Sequence, residues 1–123
     1  MVNLLQLVVI LFLVAHWMCC VWFSFGYHPG GWVDRDGLVE IVDGDDGPTL
    51  VPISGNLVHE WLSSFYWSIT TMTTIGYGDI SGKTMRERGI ACLVMILGCG
   101  FFAWSTGTIT VISSIQNMFY IEH

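Results

Sequence analysis

The residues with the clearest chemical potential in this 123-residue chain are Thr73-Thr74-Ile75-Gly76-Tyr77-Gly78-Asp79. Glycine at every second place lets the backbone alternate between conformations that side-chain-bearing L-residues resist. A strand built this way can turn successive carbonyl oxygens toward one axis. Inside a membrane a carbonyl needs a partner, and a dehydrated cation is a suitable one. One strand offers one oxygen per level, so several chains must converge around the axis. The chemistry is ion coordination, with no bond made or broken; the sequence reads as a non-enzyme with no cofactor. A helix ending just before the strand would add partial negative charge beneath it.

Such a strand needs a low-dielectric setting and rigid elements on both sides. Charged residues make up 11% of the chain and hydrophobic ones 53%, against roughly 25% charged in a soluble domain. That balance excludes a soluble globule and a disordered tail. Four Lys and Arg cannot build a phosphate-tracking surface, so nucleic acid is excluded as a partner. The partner is the lipid bilayer. Leu4 to Phe25 carries no charge and as a helix would cover ~33 Å, enough to cross a hydrocarbon core. A signal peptide competes, but the run is long, lacks a basic start and places Trp17, Trp22 and Phe23 where small residues are needed. Ile90 to Ile115, also uncharged, would cover ~39 Å as a second span.

The charge is segregated. Asp34, Asp36, Glu40, Asp43, Asp45, Asp46 and Glu60 face Arg35 alone within residues 26–60, while Asp79, Glu87 and Glu122 balance Lys83, Arg86 and Arg88. The whole formal charge of −6 therefore sits in one segment, which reads as a solvated acidic loop acting on cations. Within it Leu38–Val42 and Thr49–Ile53 predict a small hairpin around the turn Asp43 to Pro48. A calcium loop fits poorly, because positions five and twelve would be Gly47 and Ser54. Cys19, Cys20, Cys92 and Cys99 read as small buried hydrophobes; their spacing fits neither a zinc site nor a disulfide framework.

Asn56 is placed to cap a helix over 57–72, too short and too rich in Ser and Thr to span. In lipid it makes sense as a re-entrant helix sheltered by protein. Thr84-Met85-Arg86-Glu87 matches a capping box opening the second span. Gly98, Gly100 and Gly107 weaken that helix by about 1 kcal/mol each, for bending or for close packing. Phe102, Thr106, Ile109 and Ser113 share one face at three- and four-residue spacing, either lining a cavity or facing lipid or another helix.

Thr74-Ile75-Gly76-Tyr77-Gly78-Asp79, after a re-entrant helix and between two spans, resembles the selectivity filter of potassium channels, Thr-Val-Gly-Tyr-Gly-Asp. Tyr66-Trp67-Ser68-Ile69-Thr70-Thr71-Met72 is similar to the pore helix of voltage-gated and plant inward-rectifying potassium channels. Ala15-His16-Trp17, with Met95-Ile96-Leu97-Gly98, Ala103, Gly107 and Thr110, resembles the outer and inner helices of ether-à-go-go and cyclic-nucleotide-binding-domain channels. Ether-à-go-go filters often carry Phe at the place of Tyr77 and Asn at that of Asp79. Hyperpolarisation-activated channels carry Cys at that of Thr74, so Thr74 and Asp79 favour potassium selectivity.

The resemblance implies an all-α membrane protein with two transmembrane helices, a re-entrant pore helix and a tetrameric pore. Its parts are an outer helix over about 4–25, an acidic turret over 26–55, a pore helix over 57–72, a filter over 74–79 and an inner helix over about 85–118. It implies a homotetramer in the plasma membrane that conducts K+ passively. Carbonyls of Thr74, Ile75, Gly76 and Tyr77, with the Thr74 hydroxyl, would replace the hydration shell of K+, and Gly78 would complete the strand. Tyr77 is expected to pack behind the filter near Trp67, which is alternatively apolar filling, and Asp79 to hydrogen-bond Tyr66. Gly98 is the expected inner-helix bend, with close packing as the alternative. His16 reads either as a family feature or as a buried histidine with a satisfied ring. A non-selective cation pore and a non-conducting assembly subunit are the alternatives. Lys83, Arg86 and Arg88 beside the acidic loop run against the positive-inside rule if the filter faces outward, and the filter orientation is preferred.

Overall fold

A computed structural model describes residues 3–53 and 57–122; Asn56, the expected cap, lies outside them. The order is α1 (Leu4–Gly26), α2 (Trp32–Arg35), β1 (Val39–Gly44), β2 (Gly47–Pro52), α3 (Leu57–Met72) and α4 (Met85–Ile121). Two of these helices, α1 and α4, are long and apolar enough to cross a membrane.

The first helix opens where the Asn3 N–H donates to Gln6 Oε1 at 3.0 Å. It stops at Gly26 because Pro29 disfavours helical geometry at His28 and Gly30 turns the chain with φ +77°. The other spanning helix opens on the expected capping box, with Thr84 Oγ1 accepting from the Glu87 N–H at 3.3 Å. It runs 37 residues, three beyond the expected end. At ~56 Å it exceeds a hydrocarbon core of ~30 Å, so its ends must project. Its buried positions, Glu87, Ala91, Val94, Gly98 and Ser105, recur every three, four or seven residues and form one stripe.

The segment after α1 forms the expected hairpin, β1 pairing antiparallel with β2, so the fold is not purely all-α. The turn is shorter than the expected Asp43 to Pro48: pairing continues to Gly44 opposite Gly47, leaving Asp45-Asp46 as a two-residue turn. Gly47 takes φ +113°, which lets the ladder close that far. The first half of the segment is only partly solvated. Trp32, Val33, Leu38 and Val39 are buried with Trp22, Trp67, Ala91 and Val94 in one core. The hairpin beyond Val39 stands in solvent, carrying exposed Asp43, Asp45 and Asp46, as do Arg35, Asp36 and Gly37 before it.

Three parallel indoles centre that core. Trp67 of α3 stacks on Trp22 of α1 at 3.8 Å between ring centres, and Trp22 stacks on Trp32 of α2 at 5.8 Å. The Trp32 indole N–H donates to the Trp22 carbonyl at 3.1 Å. This large apolar area lies at the loop end of the helices, while Leu4, Leu5, Met118 and Phe119 at the other end are exposed.

Gly26 is the close-approach point, because a Cβ there would fall within the Trp32 indole. Gly26→Ala should therefore displace Trp32 and cost about 1–3 kcal/mol. Thermal unfolding in detergent, followed by tryptophan fluorescence, should show a clear drop in Tm; an unchanged Tm would contradict this packing.

Candidate ion-coordinating strand and its support

After α3 the chain runs through Thr73 to Asp79 as a strand with no partner. Thr74, Gly76 and Gly78 take φ of 64°, 55° and 78°, and Thr73, Ile75, Tyr77 and Asp79 between and beside them are not positive. The backbone thus alternates at every second residue. Two positions have the glycine that permits it; Thr74, β-branched, is held there at a cost of about 1–2 kcal/mol.

Four bonds fix the strand to the end of α3, the first from the Thr73 N–H to the Ile69 carbonyl at 2.9 Å. The Thr74 N–H donates to the Thr71 carbonyl at 3.2 Å, and the Gly76 N–H reaches the Thr70 carbonyl at 3.1 Å. The Thr73 hydroxyl donates to the Ile69 carbonyl at 2.7 Å. Among the described residues, none of the five carbonyls from Thr74 to Gly78 accepts a hydrogen bond within the chain. Ile75 and Tyr77 stand 54% and 69% exposed, which leaves this side of the strand uncovered by its own chain.

Behind the strand, Tyr77 stacks on Tyr66 with ring centres 6.4 Å apart and planes within 2°. The expected neighbour was Trp67. Successive residues on a helix point about 100° apart, so the turn that aims Tyr66 at the strand aims Trp67 at Trp22; the apolar-filling alternative describes Trp67. Asp79 and Tyr66 line one cavity of about 460 Å³ with Asp36, His59, Leu62, Ser63 and Ile80.

Gly98 lies against Met72, where a Cβ would sit 3.3 Å from the Met72 Cα. Close packing is thus the use seen for Gly98, at the point where α3 gives way to the strand. Phe102, Thr106, Ile109 and Ser113 are all exposed, beside rather than on the buried stripe of α4. The Thr106 hydroxyl donates to the Phe102 carbonyl at 2.9 Å, so its polarity is satisfied within its own helix and does not choose between cavity and lipid. The His16 ring is satisfied too, with Nδ1 accepting the Trp61 indole N–H at 3.0 Å.

Sequence reasoning found Glu87 as a cap and missed its larger role. Its carboxylate is fully buried and collects four donors. Oε1 accepts from the Trp32 N–H, and Oε2 from the Lys83 N–H at 2.9 Å, the Thr84 N–H at 3.2 Å and Arg35 Nη2 at 3.1 Å. Arg35 also donates to the Ser81 carbonyl at 2.9 Å. One carboxylate thus clips α2, the linker after the strand and the start of α4 together. Trp32 and Arg35 lie 55 and 52 residues away, so no local pattern announces them.

Residues 48–114, more than half of the chain, match the ion channel family, and the chain belongs to it. This is a family of channels, not of enzymes. The individual relatives are potassium channels of the ether-à-go-go kind already suggested by Ala15-His16-Trp17. The chain is 29% identical over 117 residues to the voltage-gated inwardly rectifying potassium channel KCNH6 of Homo sapiens, covering 87% of this chain and 12% of that protein. It is 28% identical over 124 residues to the potassium voltage-gated channel unc-103 of Caenorhabditis elegans, covering 94% and 14%. To the potassium voltage-gated channel protein eag of Drosophila melanogaster it is 29% identical over 120 residues, covering 86% and 10%. The chain thus spans about an eighth of the length of these relatives.

Glu87→Ala should leave the buried Trp32 N–H, the partly buried Lys83 and Thr84 N–H groups and Arg35 without their acceptor, a loss of about 2–4 kcal/mol. Proteolysis in detergent should then cut first within residues 28–37. Wild-type resistance of that segment would show that the carboxylate is not what holds it.

Proposed function

We propose that this chain is one subunit of a potassium-selective pore, four copies surrounding one axis and conducting K+ passively across the plasma membrane. The carrying observation is the set of five carbonyls from Thr74 to Gly78 without acceptor bonds, on a backbone whose φ turns positive at every second residue. Residues 74–78 are exposed in the single chain; once neighbouring copies bury them their oxygens need partners, and a desolvated cation supplies one. On this reading α3 is a re-entrant helix whose C-terminal end points its partial negative charge toward the entering ion. Neighbouring copies cover exposed Ile75 and Tyr77, and α1 and α4 stand in lipid.

Thr74, Ile75, Gly76 and Tyr77 provide the coordinating carbonyls, and the Thr74 hydroxyl the innermost oxygen. The positive φ of Gly76 and Gly78 fits the alternation such coordination requires. Tyr66 stacked behind Tyr77, and the Glu87 clip behind the linker, hold the strand at fixed width, which favours one ion size over another. The names of the relatives, all potassium channels, support K+ as the permeant ion. Proteoliposomes should take up rubidium far faster than sodium, with block by barium, and Gly76→Ala should abolish uptake because a Cβ opposes φ of 55° and crowds the axis. Equal rubidium and sodium uptake would indicate a mixed cation pore, and no uptake a non-conducting subunit.

On this reading the acidic hairpin ring faces the outer mouth. The hairpin carries Glu40, Asp43, Asp45 and Asp46 with no basic residue, so four copies would bring a formal charge of about −16 there before screening, raising local cation concentration within ~8 Å. Replacing Asp43, Asp45 and Asp46 by Asn should lower conductance at low salt and leave it unchanged at high salt. Unchanged low-salt conductance would place the hairpin tips beyond screening distance from the axis.

A further inference from the structure

One turn of α1, away from the strand, gathers three side chains that ligate soft metals. His16, Cys19 and Cys20 stand at i, i+3 and i+4 and so share a face, and their ligand atoms all lie within 4.8 Å of one another. Cys20 Sγ is 3.8 Å from His16 Nε2, near the ~3.5 Å edge of a tetrahedron built with zinc–sulfur and zinc–nitrogen bonds of about 2.3 and 2.0 Å.

An independent observation comes from α3. Glu60 is only 6% exposed, and its Oε1 is buried without a hydrogen-bond partner. It lines a cavity of about 260 Å³ together with Cys19, Cys20, Ser24, Trp61 and Ser64. A carboxylate oxygen shut away from water without a donor is costly, and a cation in this cavity would satisfy it. We propose that His16, Cys19 and Cys20 form a binding site for a soft divalent cation of the zinc or cadmium type where α1 meets α3, with the unpartnered Glu60 carboxylate beside it rather than among the ligand atoms that lie within 4.8 Å of one another. The site does not depend on how the Thr74–Asp79 strand is read.

Coordination leaves the metal divalent, and each ligating thiol releases its proton to solvent. The imidazole sets a further condition. An indole N–H only donates, so His16 Nδ1 is the acceptor from Trp61 and the neutral ring carries its proton on Nε2. Binding the metal through Nε2 moves that proton to Nδ1, and Trp61 loses its acceptor. Metal occupancy and the His16–Trp61 hydrogen bond are mutually exclusive, which links the site to the packing of α3 on α1.

The test is a cadmium titration of the full chain in detergent, read by the ultraviolet cadmium–thiolate charge-transfer band. Wild type and Cys92→Ser/Cys99→Ser should saturate at one ion per chain, and Cys19→Ser/Cys20→Ser should show no band. Glu60→Gln should weaken binding about tenfold or more, and Trp61→Phe should tighten it several-fold by removing the competing hydrogen bond. A band that persists in Cys19→Ser/Cys20→Ser, no band in wild type, or unchanged affinity in Glu60→Gln or Trp61→Phe would overturn the site.

Discussion

Five carbonyl oxygens without hydrogen-bond donors, those of Thr74 to Gly78, set the terms for the rest of the molecule. A peptide oxygen left bare in a low-dielectric setting costs several kcal/mol. The strand's own N–H groups do not relieve this, because Thr74 and Gly76 donate backward to Thr71 and Thr70. Those bonds tie the strand to α3 while leaving the oxygens unpaired. The alternation at Thr74, Gly76 and Gly78 is a costly conformation, and it persists only because the surroundings hold it.

The holding is concentrated at one end of the molecule. Trp22, Trp32 and Trp67 join α1, α2 and α3 by stacking. Glu87 joins α2, the linker and α4 by accepting four hydrogen bonds. Between them every element that borders the strand is fixed to another. An apolar stack tolerates lipid and a dry carboxylate does not, so the fully buried Glu87 depends on its complete set of donors. The opposite ends of α1 and α4 carry no comparable core, and apart from buried Leu7 most of their large apolar residues face outward, as suits helices solvated by lipid.

What was legible in the sequence was what is local. Gly76 and Gly78 announced backbone alternation because glycine's freedom belongs to the residue itself, and the Thr84–Glu87 box spans one turn. Thr74 was not legible as a positive-φ residue, since a β-branched side chain argues against it. The charge count correctly marked residues 26–60 as acidic but concealed that Trp32, Val33 and Leu38 within them are core, because composition averages over a segment whose halves have opposite fates. Tyr77 packs on α3 as expected, though on Tyr66 within its own chain, because Tyr66 and Trp67 are neighbours in sequence and diverge on the helix. The partnerships of Glu87 with Arg35 and of His16 with Trp61 join elements far apart in the chain, beyond any periodic pattern.

If dehydrated K+ is the missing partner of the Thr74–Gly78 carbonyls, its binding is an equilibrium property that can be read without current. Isothermal titration of K+ into the purified assembly, in a buffer whose cation is too large to enter the strand, measures it most directly. The account predicts saturable K+ binding that sodium fails to displace and that Gly76→Ala eliminates. Sodium binding as tightly as K+, or K+ binding undiminished in Gly76→Ala, would contradict it.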